Sequence, residues 1–119
     1  MRLKPNTLIV VAGPTASGKT ALAIQIAKAV DGEIVSADSM QIYRGVDIAT
    51  AKPTPEELAA VPHHLIGFLP MDRAFSVADY AELARKEIND ILSRGKVPVL
   101  CGGTGLYIKA IVDNVQYSE

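Results

Sequence analysis

A glycine-rich segment near the start of the chain has the residue types that bind phosphate groups. It runs Gly13, Pro14, Thr15, Ala16, Ser17, Gly18, Lys19 and Thr20, and it matches the pattern G-x-x-x-x-G-K-[ST] in full. Glycines let backbone N–H groups turn toward phosphate oxygens, Lys19 adds a positive charge, and the Thr20 hydroxyl stands where Mg²⁺ would bind. The segment predicts a phosphate-binding loop, or P-loop, whose ligand is ATP, GTP or another diphosphate.

Asp38 is the second candidate, because it follows a short segment, residues 33–36, that is typical of a strand. A carboxylate in this place can act as a general base on a substrate bound close to the phosphate site. The same position is also typical of a helix N-cap, or of an aspartate that holds magnesium-bound water. Spacing alone leaves these alternatives open.

Four further residues have side chains with possible chemistry, but their patterns favour structural roles. Thr104 lies in a glycine-rich turn after an apolar segment, where a turn or N-cap role is common. His63 and His64 are adjacent and cannot share one helix face, so they are poor partners for a metal ion. Cys101, inside an apolar segment, is interpreted as a buried small apolar side chain.

The elements that position these residues alternate between strand and helix. Residues 7–12 are apolar and β-branched, which predicts a strand covered on both faces. Residues 21–30 predict a helix with Leu22, Ile26 and Val30 four apart on one face. Further predicted elements are strands at 33–36, 64–68 and 97–101, a helical turn at 39–43, and helices at 56–60 and 106–112.

The clearest helix begins after Ser76. Asp79 lies three residues on and completes a capping box, in which the two side chains bond each other's backbone N–H groups. Apolar residues from Tyr80 to Leu92 then recur on one face, and Gly95 ends the helix.

Strands that alternate with helices predict a P-loop NTPase-like α/β fold of three layers, with a parallel sheet and helices on both faces. Ligands of such sheets bind beyond the carboxyl ends of the strands. Residues 13–20, Asp38 and residues 102–104 all follow predicted strands, so we expect them to meet at one edge. The length of 119 residues fits one domain, 1–119.

Composition excludes several classes of protein. A formal charge of −1 gives no basic surface for nucleic acid, and the low aromatic content offers little for stacking bases. The single cysteine fits a reducing compartment, and no apolar run reaches the ~20 residues that span a bilayer. We therefore expect a cytoplasmic protein without a membrane segment. The sequence does not give the oligomeric state, for which a monomer is the expectation.

Four strings read together resemble the N-terminal part of the tRNA dimethylallyltransferase family, also called tRNA isopentenyltransferases. They are residues 13–20 (GPTASGKT), 36–53 (SADSMQIYRGVDIATAKP), 62–65 (PHHL) and 102–107 (GGTGLY). The resemblance covers residues 8–114. Many kinases share the P-loop, whereas DSMQIY and GGTGLY are far more specific.

The resemblance implies transfer of a dimethylallyl group from dimethylallyl diphosphate to N6 of the adenosine that lies 3′ of a tRNA anticodon. It implies that Asp38 removes the N6 proton, that residues 15–20 hold the diphosphate, and that Mg²⁺ is bound with help from Thr20. The residues that would contact the tRNA are Asp38, Ser39, Met40, Gln41 and Thr104.

Members of that family are much longer and continue into a helical insertion that grips the anticodon arm. We therefore expect this chain to be an N-terminal fragment, inactive alone, with the basic residues for RNA in the remaining part. Three alternatives stay open: an adenylate isopentenyltransferase, a small ATP-dependent kinase, and a non-catalytic nucleotide-binding module. Ser39 and residues 104–107 favour the tRNA enzyme over the adenylate enzyme, and a kinase would need lid arginines near the phosphates.

Overall fold

The computed structural model describes residues 7–13, 18–39, 41–43, 54–70 and 72–115 of the chain. Its strands are β1 (Ile9–Ala12), β2 (Gly32–Ser36), β3 (His63–His64) and β4 (Val97–Gly102). Its helices are α1 (Lys19–Val30), α2 (Pro55–Ala60), α3 (Val77–Ser93) and α4 (Gly105–Val115). Among these residues, no helix is long and apolar enough to cross a lipid bilayer.

The four strands form one parallel sheet in the order β1-β4-β2-β3. In register, Val11 of β1 lies beside Cys101 of β4, and Ser36 of β2 lies on the other side of Cys101. Strand β4 is therefore the central strand of the site, with β1 and the P-loop on one side and β2 and Asp38 on the other.

Helices cover both faces of the sheet, which confirms the predicted three-layer α/β fold. On one face Ile34, Val99 and Cys101 pack with buried residues of α1. On the other face Val35 and Leu100 pack with α3 and α4. The two sets alternate along β2 and β4 because successive side chains of a strand point to opposite faces.

Two tyrosines join α3 to α4 on that second face. The rings of Tyr80 and Tyr107 are stacked, with centroids 4.1 Å apart and planes 10° from parallel. The Tyr80 hydroxyl donates a 2.7 Å hydrogen bond to the backbone carbonyl of Ser36. Burial raises the pKa of Tyr80, so this hydroxyl keeps its proton. The pair thus ties both helices to the end of β2.

The apolar face predicted for α1 is only partly buried: Ile26 packs against the core, but Leu22 does not. Leu22 is 51% exposed, whereas the buried apolar residues of the helix are Ala23, Ile24 and Ala27. Two alanines facing the sheet let the helix approach it closely. The larger leucine then falls on the outer side.

Two strand predictions also need correction. Strand β1 is an edge strand of the described sheet, and Val10 is 38% exposed, so it is not covered on both faces. Strand β3 has two residues instead of the predicted five, because Leu65 and Gly67 adopt positive φ angles of 66° and 65°. A strand cannot continue through that conformation.

Helix α3 confirms its predicted start. Ser76 is the N-cap, its side chain accepts from the Asp79 N–H, and the Asp79 carboxylate accepts from the Ser76 N–H. Gly95, with φ of 77°, follows the C-cap residue Arg94. Within the predicted helical turn at 39–43, the described residues show a hydrogen bond from Gln41 N to Asp38 O, 3.1 Å long, while Met40 lies outside them.

A buried carboxylate fixes the opposite end of β2. Glu33 accepts two hydrogen bonds from the Arg94 guanidinium, one of them 2.9 Å long, and its Oε1 lies 2.7 Å from His64 Nε2. His64 Nδ1 in turn lies 2.9 Å from a carboxylate oxygen of Glu87. Both histidines therefore have structural contacts, since His63 Nδ1 lies 2.8 Å from the Val61 carbonyl. The network ties β2, β3 and α3 together.

Candidate functional site

The described end of the P-loop forms the start of α1. Gly18 is the N-cap residue and has a φ of 77°, a left-handed conformation that glycine adopts at little cost. Lys19 and Thr20 occupy the first turn, where free backbone N–H groups and the helix dipole favour an anion. Lys19 is 6% exposed and Thr20 is half-buried. Of the remaining predicted phosphate ligands, Gly13 follows β1, and residues 14–17 lie outside the described residues.

Asp38 lies just beyond the end of β2 and is 5% exposed. Both of its neighbours in sequence are hydrogen-bonded to the segment that joins β4 to α4. The Ala37 N–H donates to the Cys101 carbonyl at 2.8 Å, and the Thr104 N–H donates to the Ala37 carbonyl at 3.1 Å. The Ser39 N–H donates to Thr104 Oγ1 at 2.8 Å. The backbone on each side of the carboxylate is thus held by one neighbouring loop.

Close packing of that loop depends on Gly102. A Cβ atom on this residue would lie 2.3 Å from the carbonyl carbon and oxygen of Ala37, closer than nonbonded atoms approach. The glycine therefore lets β4 and the segment before Asp38 run in direct backbone contact.

Cys101 connects the phosphate side of the site to the Asp38 side. Its thiol donates to the Lys19 carbonyl, with the sulfur 3.9 Å from the oxygen. Burial raises the pKa of Cys101 to about 11, while the charge of Lys19 lowers it and the charge of Asp38 raises it. In register, Cys101 lies between Val11 of β1 and Ser36 of β2, two residues before Asp38. The predicted burial of Cys101 is confirmed, and the thiol is not a nucleophile at neutral pH.

Thr104 lies at the start of α4 and uses its hydroxyl within the site. Besides accepting from the Ser39 N–H, its Oγ1 lies 3.3 Å from Ser39 Oγ. Its backbone carbonyl accepts from the N–H groups of Tyr107 and Ile108, in the first turn of the helix. The predicted turn or N-cap position is therefore observed. The Thr104 side chain also links two loops, which spacing did not indicate.

Of the other predicted contacts, Ser39 is half-buried beside Thr104, and Gln41 is buried beside Ser36. Met40 lies outside the described residues. The structure thus brings Lys19, Asp38 and Thr104 to one edge of the sheet, as the strand order requires. Sequence reasoning missed Ser36, although a serine at the end of an apolar strand is the kind of buried polar residue that signals a specific partner.

Comparison with known proteins decides the family. The family model described as IPP transferase matches residues 41–119. The chain belongs to the IPP transferase family. This membership confirms the resemblance seen in the motifs.

Relatives in the IPP transferase family carry names that specify tRNA. The chain is 52% identical to a tRNA dimethylallyltransferase of Salinispora tropica over 97% of this chain and 36% of that protein. It is 55% identical to one of Macrococcus caseolyticus, over 94% of this chain and 36% of that protein. The chain therefore spans about a third of the length of the curated relatives it matches.

Solved structures of the family have the same fold. A crystal structure of the full-length tRNA isopentenylpyrophosphate transferase from Bacillus halodurans matches with a TM-score of 0.87 and 47% identity, over 96% of this chain and 38% of that one. A eukaryotic dimethylallyltransferase acting on tRNA matches with a TM-score of 0.82 and 35% identity, over 87% of this chain and 26% of that one.

Proposed function

We propose that this chain is the N-terminal part of a tRNA dimethylallyltransferase and supplies its diphosphate site and catalytic base. The observation that carries the proposal is the buried carboxylate of Asp38 at the same sheet edge as Lys19, with Cys101 between them. A buried acid beside a phosphate site is the arrangement that a reaction with a diphosphate leaving group and a proton to remove requires.

The diphosphate of dimethylallyl diphosphate would bind at the start of α1. The Lys19 ammonium, the N–H groups of the first turn and the helix dipole all oppose the negative charge that grows on the leaving group. Residues 13–17 would complete the loop around it. These groups are fixed before the reaction begins, so little reorganisation is needed as charge develops.

Mg²⁺ is the proposed metal, and the Thr20 hydroxyl in the first turn of α1 would hold it. The described residues include no cluster of three or more His, Cys, Asp and Glu side chains suited to a metal. Mg²⁺ fits such a site, because it is commonly held by one or two protein oxygens together with phosphate oxygens and water. The bound ion would supply charge neutralisation for the diphosphate.

Asp38 would act on the adenosine. N6 of the base attacks the first carbon of the dimethylallyl group as that carbon's bond to the diphosphate oxygen breaks. The N6 proton passes to the Asp38 carboxylate, and the diphosphate leaves with the bonding electrons. An exocyclic amine is a poor nucleophile, so proton removal in the transition state speeds the step. The adenosine would be extruded from its stack to reach a buried carboxylate. Ser39, Met40, Gln41 and Thr104 are the proposed contacts.

The kinase alternative is weaker, because the arginine network does not serve the site. Arg94 is bonded to Glu33 and Asp90, at the end of β2 opposite to Asp38. Arg85 lies on the exposed side of α3. Neither is positioned as the lid arginine that phosphoryl transfer uses.

The partners follow from the reaction: dimethylallyl diphosphate as donor and tRNA as acceptor. The cytoplasm and a monomeric state remain part of the proposal. With a formal charge of −1, this chain has no excess of basic residues to neutralise RNA phosphates. The rest of the protein would supply the basic residues that bind the RNA phosphates.

The test is a transfer assay with a chimaera in which this chain replaces its matching segment in the Bacillus halodurans relative. With unmodified tRNA and labelled dimethylallyl diphosphate, the chimaera should attach label to the tRNA. Asp38→Ala should lower the single-turnover rate by ~10²-fold or more, and Asp38→Asn, which keeps the size, should do the same. Asp72→Asn, at an exposed position, is the matched control. Near-normal rates for both Asp38 variants would mean that another group removes the proton.

A further inference from the structure

Gln41, a proposed contact of the adenosine, accepts a hydrogen bond from Ser36, a residue with no role in the proposed reaction. Ser36, the last residue of β2, is buried, and its hydroxyl donates a 2.8 Å hydrogen bond to Gln41 Oε1. Both groups are buried, so the bond is shielded from competing water. Among the described residues, the hydrogen bond of the Gln41 side chain is made by Oε1.

This bond engages the oxygen end of the amide. A glutamine side chain can rotate by 180° and exchange an acceptor oxygen for a donor NH₂ group at nearly the same place. A serine hydroxyl can donate or accept, and in this structure it donates to Oε1, so the NH₂ group is the end of the amide that faces away from Ser36. The Ser36 backbone is held by the pairing of β2 with β4, opposite Cys101, and its carbonyl also accepts from the Tyr80 hydroxyl at 2.7 Å.

We propose that Ser36 is a positioning residue, which fixes the Gln41 amide so that its NH₂ group is presented to the substrate base as a donor. A donor there suits a ring nitrogen of adenine that accepts, and it disfavours a base that offers an N–H at the same place, as N1 of guanine does. Ser36 would thereby contribute to the choice of adenine without touching it. This role rests on the proposed function, because it requires that a base bind beside Gln41.

The first experiment concerns orientation alone and uses the 119-residue chain. The side-chain amide resonances of Gln41 are followed by ¹H–¹⁵N NMR in the wild type, in Ser36→Ala and in Tyr80→Phe. Ser36→Ala should shift these resonances and speed exchange of the NH₂ protons with water. Tyr80→Phe leaves the Ser36 hydroxyl in place, so Gln41 should change little even if the protein melts at a lower temperature. Unchanged Gln41 resonances in Ser36→Ala would overturn the proposal.

The second experiment tests the coupling to substrate, in the chimaera described above. Ser36→Ala should lower kcat/KM for tRNA by about five- to tenfold, the effect of one hydrogen bond. In the Gln41→Ala background the same substitution should have no further effect, because it acts only through Gln41. Tyr80→Phe should remain additive with Gln41→Ala. Additive losses for Ser36 and Gln41 would overturn the proposal.

The two experiments separate this proposal from the proposed function. If the wild-type chimaera transfers nothing, the proposed function fails, and the NMR comparison still decides whether Ser36 fixes the amide.

Discussion

Glu33→Gln should remove much of the stability that the buried end of β2 provides. The Arg94 guanidinium, through hydrogen bonds and charge, and then His64 hold the pKa of Glu33 at about 2, against an ordinary value of 4.5, although burial opposes them. At about 1.4 kcal/mol per pKa unit, that difference corresponds to about 3 kcal/mol of folding free energy. The side chain of Glu33 is 7% exposed, so solvent screens the carboxylate little. The Arg94 side chain is 40% exposed and is partly rehydrated when its partner is lost, so we expect a loss of about 2–3 kcal/mol at pH 7.

The pH dependence follows from the direction of the change. A carboxyl group with a lowered pKa stabilises the folded state above its unfolded pKa, and it loses that contribution as the pH falls toward the folded pKa. The wild type should therefore lose stability between pH 4.5 and pH 2, and the gap to Glu33→Gln should narrow over the same range. The free energies of unfolding of wild type and variant should therefore become similar in acid and differ at neutral pH.

Urea unfolding at a series of pH values measures this gap directly. Asp90→Asn is the matched control, because Asp90 also pairs with Arg94 but its side chain is 60% exposed. That change should cost under about 1 kcal/mol, as for other surface pairs. A gap for Glu33→Gln that stays constant from pH 7 to pH 3 would refute the assignment of the stability to this carboxylate.

Three further predictions concern the site. Lys19→Ala should weaken binding of dimethylallyl diphosphate by a few kcal/mol, as expected for loss of a charge-assisted contact. Calorimetry measures this affinity, and an unchanged value would mean that the P-loop does not bind the diphosphate. Thr104→Val should cost about 1–2 kcal/mol in urea unfolding, because it deprives the Ser39 N–H of its acceptor, and Thr104→Ser should behave as wild type. The 119-residue chain alone should bind diphosphate but neither bind nor modify tRNA, and salt-sensitive tRNA binding in a gel-shift titration would contradict this.

Features that depend on neighbours along the chain were predictable from sequence. The capping box of α3 needs only Ser76 and Asp79, and the left-handed turn at Gly18 needs only the glycine. The placing of Asp38 and Thr104 at one edge also followed, because parallel strands bring their carboxyl ends together.

Features that depend on packing were not predictable in the same way. Alanine and leucine both count as apolar, so periodicity could not tell that α1 would turn Ala23 and Ala27 inward and leave Leu22 outside. Leu65 ends β3 with a positive φ, which a leucine rarely adopts and no local pattern indicates. The Glu33–Arg94 pair joins residues 61 positions apart. The sequence around each residue contains no pattern that indicates the other as its partner.

The stacked tyrosines of α3 and α4 give this chain an internal spectroscopic reporter. The chain has no tryptophan and four tyrosines, so its near-ultraviolet circular dichroism is dominated by tyrosine. A pair with ring centroids 4.1 Å apart in a buried, asymmetric setting contributes strongly to that signal. The signal depends on fixed packing and is lost when packing loosens, even where helices persist. A variant that keeps this signal but fails in transfer has lost a catalytic or binding group. A variant that loses the signal has lost the packing of α3 and α4 beneath the site.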